Sequence, residues 1–186
     1  MSFSKWIAGA YMKLMGLEII RPEPLPDKCV VAVVPHTSNW DFPIGLCVRT
    51  LLDEKIHFVG KDSLFRWPFG KIFRKLGGVP VDRSQRNNFV QAVAEIFKQR
   101  RHFRLTLAPE GTRSKVTELK SGFYYIAIEA NVPIVLCAFD WGKGEVRFDK
   151  PFYPTGNKEA DFEYFYDFFD GAVGFVAKDS FTRPQK

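Results

Sequence analysis

Short apolar runs alternate along the chain with stretches whose apolar residues recur every three or four positions. The runs are rich in β-branched residues and several are bounded by Pro or Gly, which is typical of buried strands. The intervening stretches have the spacing of amphipathic helices. The pattern predicts strands at 30–34, 56–60, 79–83, 104–109, 133–139, 145–148 and 152–153. It predicts helices at 3–17, 42–52, 87–101, 122–130 and 159–169.

The first predicted helix has one apolar face, made by Phe3, Trp6, Ile7, Ala10, Tyr11, Leu14 and Leu17. Lys5 and Lys13 lie off that face. Such a face usually packs on the core, but aromatic and basic residues at a chain terminus also suit a membrane surface. Residues 61–78 mix basic and large aromatic side chains and allow the same two interpretations. The pattern does not decide between them.

One apolar run leads directly into polar chemistry. Val30–Val34 is followed by His36 and by helix-capping residue types, which predicts a strand, a turn and a helix. His36 then lies at the carboxyl end of a strand, where α/β sheets bind ligands. If the helix begins near Ser38 or Asn39, the carboxylate of Asp41 can hold one imidazole nitrogen and leave the other as a base. The alternatives are a structural histidine and a carboxylate that stabilises the helix dipole.

Two further strand-like runs end in polar residues. Arg83 closes the run at 79–83, and the run at 104–109 is followed by Glu110, Gly111, Thr112 and Arg113. If the sheet is parallel, these strand ends lie at the same edge as His36. Two guanidinium groups can clamp a phosphate, and a glycine lets backbone N–H groups approach an anion. Taken singly, each arginine would be explained by a surface salt bridge.

These motifs resemble those of the glycerolipid acyltransferases, the group of lysophosphatidic acid and glycerol-3-phosphate acyltransferases. Residues 36–41 match their H-x4-D motif, and residues 110–114 match the third block, E-G-T-R-S. Residues 78–83 are similar to the second block and residues 132–135 to the fourth, in family order. The chain departs from the pattern at Leu136, where the fourth block usually has a second Pro, and at Pro35, where Asn is common.

The resemblance implies an α/β fold with a mostly parallel central sheet flanked by helices. Residues 1–186 would be a single acyltransferase domain, with an amphipathic helix at 1–20 and the catalytic core motifs at 29–140. His36 and Asp41 would be the catalytic residues, and Glu110 would orient Arg113 or the acceptor. The residues that bind the acceptor phosphate would be Arg83, Glu110, Gly111, Thr112 and Arg113.

The implied activity is O-acyl transfer in phospholipid biosynthesis. The acyl group would pass from acyl-CoA or acyl carrier protein to the hydroxyl of a lysophospholipid-like acceptor such as 1-acylglycerol 3-phosphate. No cofactor or metal is implied, and His36, His57 and His102 lack ligand spacing. The alternative is a non-catalytic lipid- or anion-binding module on the same fold. The His36–Asp41 pair argues against that alternative, since binding alone needs no base.

Composition narrows the possible partners. A net charge of +6 suits an anionic partner, and 19 Phe, 6 Tyr and 4 Trp suit a core or contact with lipid. The basic residues are scattered and form no nucleic-acid-binding motif, so nucleic acid is not an expected partner. No apolar run approaches the roughly 20 residues of a membrane-spanning helix. We therefore expect a cytoplasmic protein, peripherally associated with the inner face of the membrane, whose three cysteines (Cys29, Cys47 and Cys137) are reduced.

Overall fold

The apolar runs form strands and the amphipathic stretches form helices. The structure is a computed structural model that describes residues 2–60, 62–81 and 86–184. Its strands are β1 (Glu18–Ile20), β2 (Lys28–Val34), β3 (Ile56–Gly60), β4 (Gly78–Pro80), β5 (Phe103–Leu107), β6 (Ile134–Asp140) and β7 (Glu145–Phe148). Its helices are α1 (Phe3–Leu14), α2 (Asp41–Leu52), α3 (Gly70–Lys75), α4 (Arg86–Gln99), α5 (Gly122–Ala130) and α6 (Lys158–Phe169). Short 3₁₀ turns lie at Asp62–Phe65 and Ala177–Asp179.

The strands form one sheet in the order β1-β7-β6-β2-β5-β3-β4. From β6 to β4 the neighbouring strands are parallel, whereas β7 runs antiparallel to β6 and β1 runs parallel to β7. Strands inside a parallel sheet need apolar side chains on both faces, and β2 and β6 are accordingly buried along nearly their whole length. The predicted α/β fold with a mostly parallel sheet is confirmed.

Helices cover both faces of this sheet. Val30, Ala32 and Val34 of β2 pack with residues of α4, α5 and α6, while Cys29 and Val31 pack with residues of α1 and α2. This division follows from the alternation of side chains along a strand. The connections from β2 to β3 and from β3 to β4 step the same way across the sheet. Right-handed crossovers therefore place α3 on the same face as α2.

The chain reverses its direction across the sheet beside β2. It leaves β2 for β3 on one side, and it later passes from β5 to β6 on the other side of β2. At such a reversal the loops diverge and leave a crevice outside the carboxyl ends of the strands. The loops that follow β2 and β5 both lie at this edge, and they carry His36 and residues 110–113.

Helix α1 packs on α2 through the face that the pattern did not favour. Ala8 and Met12 are buried, and a side chain at Gly9 would meet Leu51 of α2. Ala8 and Gly9 are small and let the two helices approach closely, because a ridge of larger side chains would hold them apart. Much of the predicted apolar face points outward instead, with Phe3, Trp6, Ile7 and Leu14 exposed. Tyr11 and Leu17 of the same face pack with the core, so the face is divided between the core and the surface.

Two short elements also differ from the pattern. Strand β1 was not predicted, because three residues are too few to show an alternation and its pairing with β7 is a tertiary contact. The predicted strand at 152–153 is a single antiparallel bridge between Phe152 and Ile134. Pro151 and Pro154 flank it, and proline has no N–H group with which to extend a ladder.

Candidate active site

The turn after β2 is wrapped around one carboxylate oxygen. Asp41 Oδ2 accepts hydrogen bonds from His36 Nδ1 at 2.9 Å and from the backbone N–H groups of Thr37 at 3.0 Å and Ser38 at 2.9 Å. Asp41 itself is only 4% exposed. Because a carboxylate only accepts, the imidazole carries its proton on Nδ1 and keeps the lone pair on Nε2.

Local sequence explains how this turn forms. Asp41 is the first residue of α2, and its N–H donates to the carbonyl of Ser38. The hydroxyl of Ser38 accepts from the N–H of Trp40, which ties the turn to the start of the helix. The His36 side chain stays 26% exposed, and no described residue bonds to its Nε2. The turn thus holds the ring from one side and leaves the other nitrogen open.

Glu110 reaches this turn from the neighbouring strand. It follows β5, which pairs directly with β2, and its Oε2 accepts the backbone N–H of His36 at 2.6 Å. Glu110 is 2% exposed, and this burial raises its pKa to about 7. The hydrogen bond from the His36 N–H lowers the pKa of Glu110, as does the His36 ring when it is protonated, whereas the charge of Asp41 adds a smaller raising effect. Glu110 therefore positions the backbone that carries the imidazole.

The contacts of Glu110 correct one part of the sequence interpretation. Among the described residues Glu110 contacts His36, and it makes no hydrogen bond or ion pair with Arg113, which was one of the two groups it was expected to orient. Gly111 separates the two with a positive φ of 65°, so the chain turns between the buried carboxylate and the exposed guanidinium. Arg113 has no carboxylate partner in the described part of the chain.

Lys120 is a cation of this loop that sequence reasoning missed. A Cβ on Gly111 would lie 2.3 Å from Lys120 Nζ, so the ammonium group lies directly over this glycine. Together with Arg113 it makes the loop positive, and Thr112 lies exposed between Gly111 and Arg113 in the sequence. A lone lysine seven residues after Arg113 carries no pattern that would have singled it out.

Arg83 lies outside the described residues. The strand that precedes it, β4, is three positions from β2 in the sheet, or about 14 Å at the usual spacing between strands. The predicted convergence of three strand ends is therefore observed for two of them, those after β2 and β5.

A C-terminal segment that the motifs did not include covers the turn. The N–H of Val176 donates to Thr37 Oγ1 at 3.0 Å, and a Cβ on Gly174 would lie 2.6 Å from the Thr37 side chain. The N–H of Thr182 donates to the carbonyl of Val116 in the loop after β5. Residues 174–182 thus contact both loops of the candidate site, and only a glycine allows the close approach at Thr37.

The cysteines do not contribute a nucleophile to the site. All three are free, and burial raises the pKa of Cys29 to about 12 and the pKa of Cys137 further still. A thiol reacts as its thiolate, so buried cysteines of this kind are inert. Among the described residues no group of three His, Cys, Asp or Glu side chains could hold a metal ion.

Fold and site together define an α/β protein with a histidine–carboxylate pair at the carboxyl edge of a mostly parallel sheet. Comparison with known proteins is more specific. The family model Acyltransferase matches residues 16–140, so the chain belongs to this acyltransferase family. The resemblance found in the motifs is confirmed.

Three curated relatives carry the same kind of name. The 1-acyl-sn-glycerol-3-phosphate acyltransferase of Escherichia coli (strain K12) is 29% identical over 137 residues, which cover 68% of this chain and 54% of the relative. The probable 1-acyl-sn-glycerol-3-phosphate acyltransferase of Mycoplasma pneumoniae is 35% identical over 67% of this chain and 49% of its own. The human 1-acyl-sn-glycerol-3-phosphate acyltransferase beta is 30% identical over 166 residues, which cover 84% of this chain and 58% of the relative. The chain spans about half the length of these relatives.

A solved structure has the same fold. The crystal structure of the 1-acyl-sn-glycerophosphate (LPA) acyltransferase PlsC from Thermotoga maritima superimposes with a TM-score of 0.60. The match covers 94% of this chain and 75% of that chain at 20% sequence identity. At this identity the likeness concerns the fold.

The raised pKa of Glu110 predicts a specific dependence of stability on pH. The folded protein holds this proton up to about pH 7, whereas the unfolded chain releases it near 4.5. Stability from Glu110 is therefore fully present below pH 4.5 and is lost as pH rises through about 7, by roughly 3 kcal/mol. Glu110→Gln keeps an acceptor for His36 and removes this dependence. Urea unfolding of both proteins between pH 4 and about pH 8 measures it.

Glu129→Gln is the matched control, because Glu129 is exposed on α5. It is expected to follow the wild-type protein at every pH. A difference in unfolding free energy between wild type and Glu110→Gln that stays constant across this range contradicts the assignment.

Proposed function

We propose that this protein transfers an acyl group from a thioester, of coenzyme A or of acyl carrier protein, to the hydroxyl of a 1-acylglycerol 3-phosphate-like acceptor. The observation that carries the proposal is the 2.9 Å contact between His36 Nδ1 and Asp41 Oδ2 at the carboxyl edge of the sheet. The names of the relatives from Escherichia coli and human support the substrate class.

His36 is the general base in this proposal. Its Nε2 takes the proton of the acceptor hydroxyl while the hydroxyl oxygen attacks the thioester carbonyl. The tetrahedral intermediate then collapses, the carbon–sulfur bond breaks, and the imidazolium returns the proton to the leaving thiolate. Asp41 holds the tautomer and stabilises the imidazolium, and Glu110 fixes the backbone of His36. No acyl-enzyme is needed, in keeping with the buried cysteines.

The loop after β5 is the proposed site for the acceptor phosphate. Arg113 is exposed beside Gly111 and Thr112, and its charge is not neutralised by any carboxylate of the described residues. A guanidinium donates two parallel hydrogen bonds to a phosphate, and the Lys120 ammonium over Gly111 adds a second positive charge. Arg83 is kept in this proposal on the strength of the sequence motif.

The acceptor is a lipid, and we propose that the protein reaches it from the membrane surface on the cytoplasmic side. None of the helices in the described part of the chain has the length and apolar character that crossing a bilayer requires. Exposed apolar side chains lie instead on α1, at Phe3, Trp6, Ile7 and Leu14, and on α3 with the segment before it, at Leu64, Trp67, Phe69 and Ile72. Lys13 and Lys71 lie exposed among them. Apolar and basic groups on one side suit an anionic lipid surface.

Removing the base is expected to abolish most turnover. His36→Ala should lower kcat by roughly 10²- to 10⁴-fold or more, and Asp41→Asn by a similar order, because the two act as a unit. The assay measures diacyl product from labelled acyl-CoA and a panel of lysolipids. His102→Ala is the control, since His102 and Asp27 form an exposed pair at the same 2.9 Å distance.

Near wild-type turnover in a folded His36→Ala protein would leave the non-catalytic lipid- or anion-binding module as the better interpretation. The His102→Ala control is expected to keep the turnover of the wild-type protein.

Replacing Arg113 is expected to weaken acceptor binding. Arg113→Ala should raise the acceptor KM by about 10- to 100-fold, and Arg113→Lys should restore only part of it, because lysine lacks the bidentate fork. The measurement is initial-rate kinetics with acceptors that carry or lack the phosphate. Lys115→Ala, an exposed cation two residues along the same loop, is the control. Unchanged KM in both Arg113 variants, or equal use of phosphate-free acceptors, rules the phosphate contact out.

Vesicle binding is expected to depend on the exposed aromatic residues. Trp6→Ser with Trp67→Ser removes side chains that are 58% and 93% exposed. Loss of their burial in lipid should cost on the order of 2 kcal/mol, or about thirtyfold in partitioning. Co-sedimentation with anionic and neutral vesicles measures this, and salt should weaken it. Tyr153→Ser, 66% exposed on another part of the surface, should bind as the wild type does. Equal binding by the tryptophan variant is the contrary outcome.

A further inference from the structure

A cavity lies away from the candidate active site, beside the first residues of β3 and β4. Its volume is about 450 Å³, which is within the range of small-molecule pockets. The end of α3 and the residues before β5 complete its wall. No acidic side chain lines it, and its basic and imidazole side chains are Arg49, Lys55, His57, Arg74, Lys75 and Arg100.

Among the described residues, no carboxylate pairs with the positive charges of this cavity. None of its five lysines and arginines has an ion pair with a described carboxylate. Neighbouring carboxylates are engaged elsewhere: Glu54 pairs with Arg104 at 3.0 Å, and Asp53 pairs with Lys5 at 3.1 Å. Lys55, the next residue along, forms an ion pair with neither of them. Like charges around one cavity repel each other, and a bound anion would offset that repulsion.

Contacts with the wall hold the guanidinium groups in place. Arg49 donates to the carbonyl of Leu76, just after α3, at 2.5 Å. Arg100 lies over the ring of Phe103 at 4.8 Å from its centre, and Arg74 lies over the ring of Phe65 at 5.2 Å. Cations stacked on rings or tied to carbonyls lose little freedom when they bind a ligand. The guanidinium groups of the cavity are thus preorganised for binding an anion.

His57 lies in the same wall, and the neighbouring positive charges affect its pKa. Its pKa is lowered, chiefly by burial and then by the positive charge of Arg100, while its bond with the Arg104 carbonyl acts in the raising direction. Arg49 and Lys55 lower it further. The ring therefore reports directly on whether a negative charge enters the cavity.

The cavity is separate from the turn that carries His36. Across the sheet His57 is level with Leu105, and Leu105 is level with Val30. Val30 precedes the end of β2 at Val34 by four residues, or about 13 Å along the strand. A ligand among these cations is therefore not placed for attack by or on His36.

We propose that this cavity binds a phosphate or diphosphate group, carried by a soluble compound or by an anionic lipid headgroup. Guanidinium and ammonium groups around a pocket without carboxylates are the arrangement that recognises such groups. The proposal goes beyond acyl transfer and does not rest on it. The cavity beside β3 and β4 would be an anion site in addition to the one proposed for the acceptor phosphate in the loop after β5.

The test is a titration of the full chain with inorganic pyrophosphate, followed through the His57 ring resonances by NMR. The titration uses the Arg113→Ala protein, so that pyrophosphate binding at the loop after β5 contributes less to the response. Saturable shifts and a raised pKa of His57 are expected. Lys55→Gln with Lys75→Gln should weaken binding by about tenfold or more, whereas Lys143→Gln with Lys150→Gln makes the same charge change elsewhere and should not. No saturable response of His57, or equal affinity in the Lys55 and Lys75 variant, overturns the proposal.

Vesicles that contain phosphatidic acid distinguish the two sources. Release from vesicles by pyrophosphate, together with loss of vesicle binding in the Lys55 and Lys75 variant, assigns the site to a lipid headgroup. Normal vesicle binding by a variant that has lost pyrophosphate binding assigns it to a soluble compound. His36→Ala should bind pyrophosphate as the wild type does. Failure of the anion site and failure of acyl transfer are therefore observed in separate measurements.

Discussion

The candidate site depends on the parallel pairing of β2 with β5. Their register places Ala32 beside Leu107, so the two strands end close to the same level and their loops meet. That meeting is the 2.6 Å bond from the His36 N–H to the Glu110 carboxylate, between residues 74 positions apart. On the other side of β2, the fully buried β6 holds the strand in register. A shift by one residue would turn every side chain of β2 to the opposite face, so the buried alternation protects the geometry.

Two buried carboxylates flank His36 and have different roles. Asp41 accepts three hydrogen bonds on one oxygen and sets the orientation of the ring. Glu110 accepts the backbone N–H, and burial raises its pKa to about 7. Ring orientation and backbone position are therefore controlled by separate residues on separate loops. Both carboxylates are buried, whereas the charged side chains of Arg113 and Lys120 in the loop after β5 are exposed.

Part of the support for the site comes from outside the region that matches the family. The match ends at residue 140, yet Gly174 and Val176 pack on Thr37, and Thr182 bonds to the loop after β5. Positive charge is likewise divided between two places, the loop of Arg113 and the cavity around His57. The fold thus gathers basic side chains that are scattered in the sequence into two separate regions.

The sequence alone was sufficient where the cause is local. The apolar runs and helical spacings placed nearly all elements, and His36 and Asp41 meet because they lie only five positions apart in one turn. The tertiary structure decided the rest. A periodic stripe shows that a helix has two faces, but the small residues Ala8 and Gly9 decided which face of α1 packs on α2. The partner of Glu110, the cover over Thr37 and the clustered cations join residues far apart in the chain, and no local pattern encodes which distant strand ends will be neighbours.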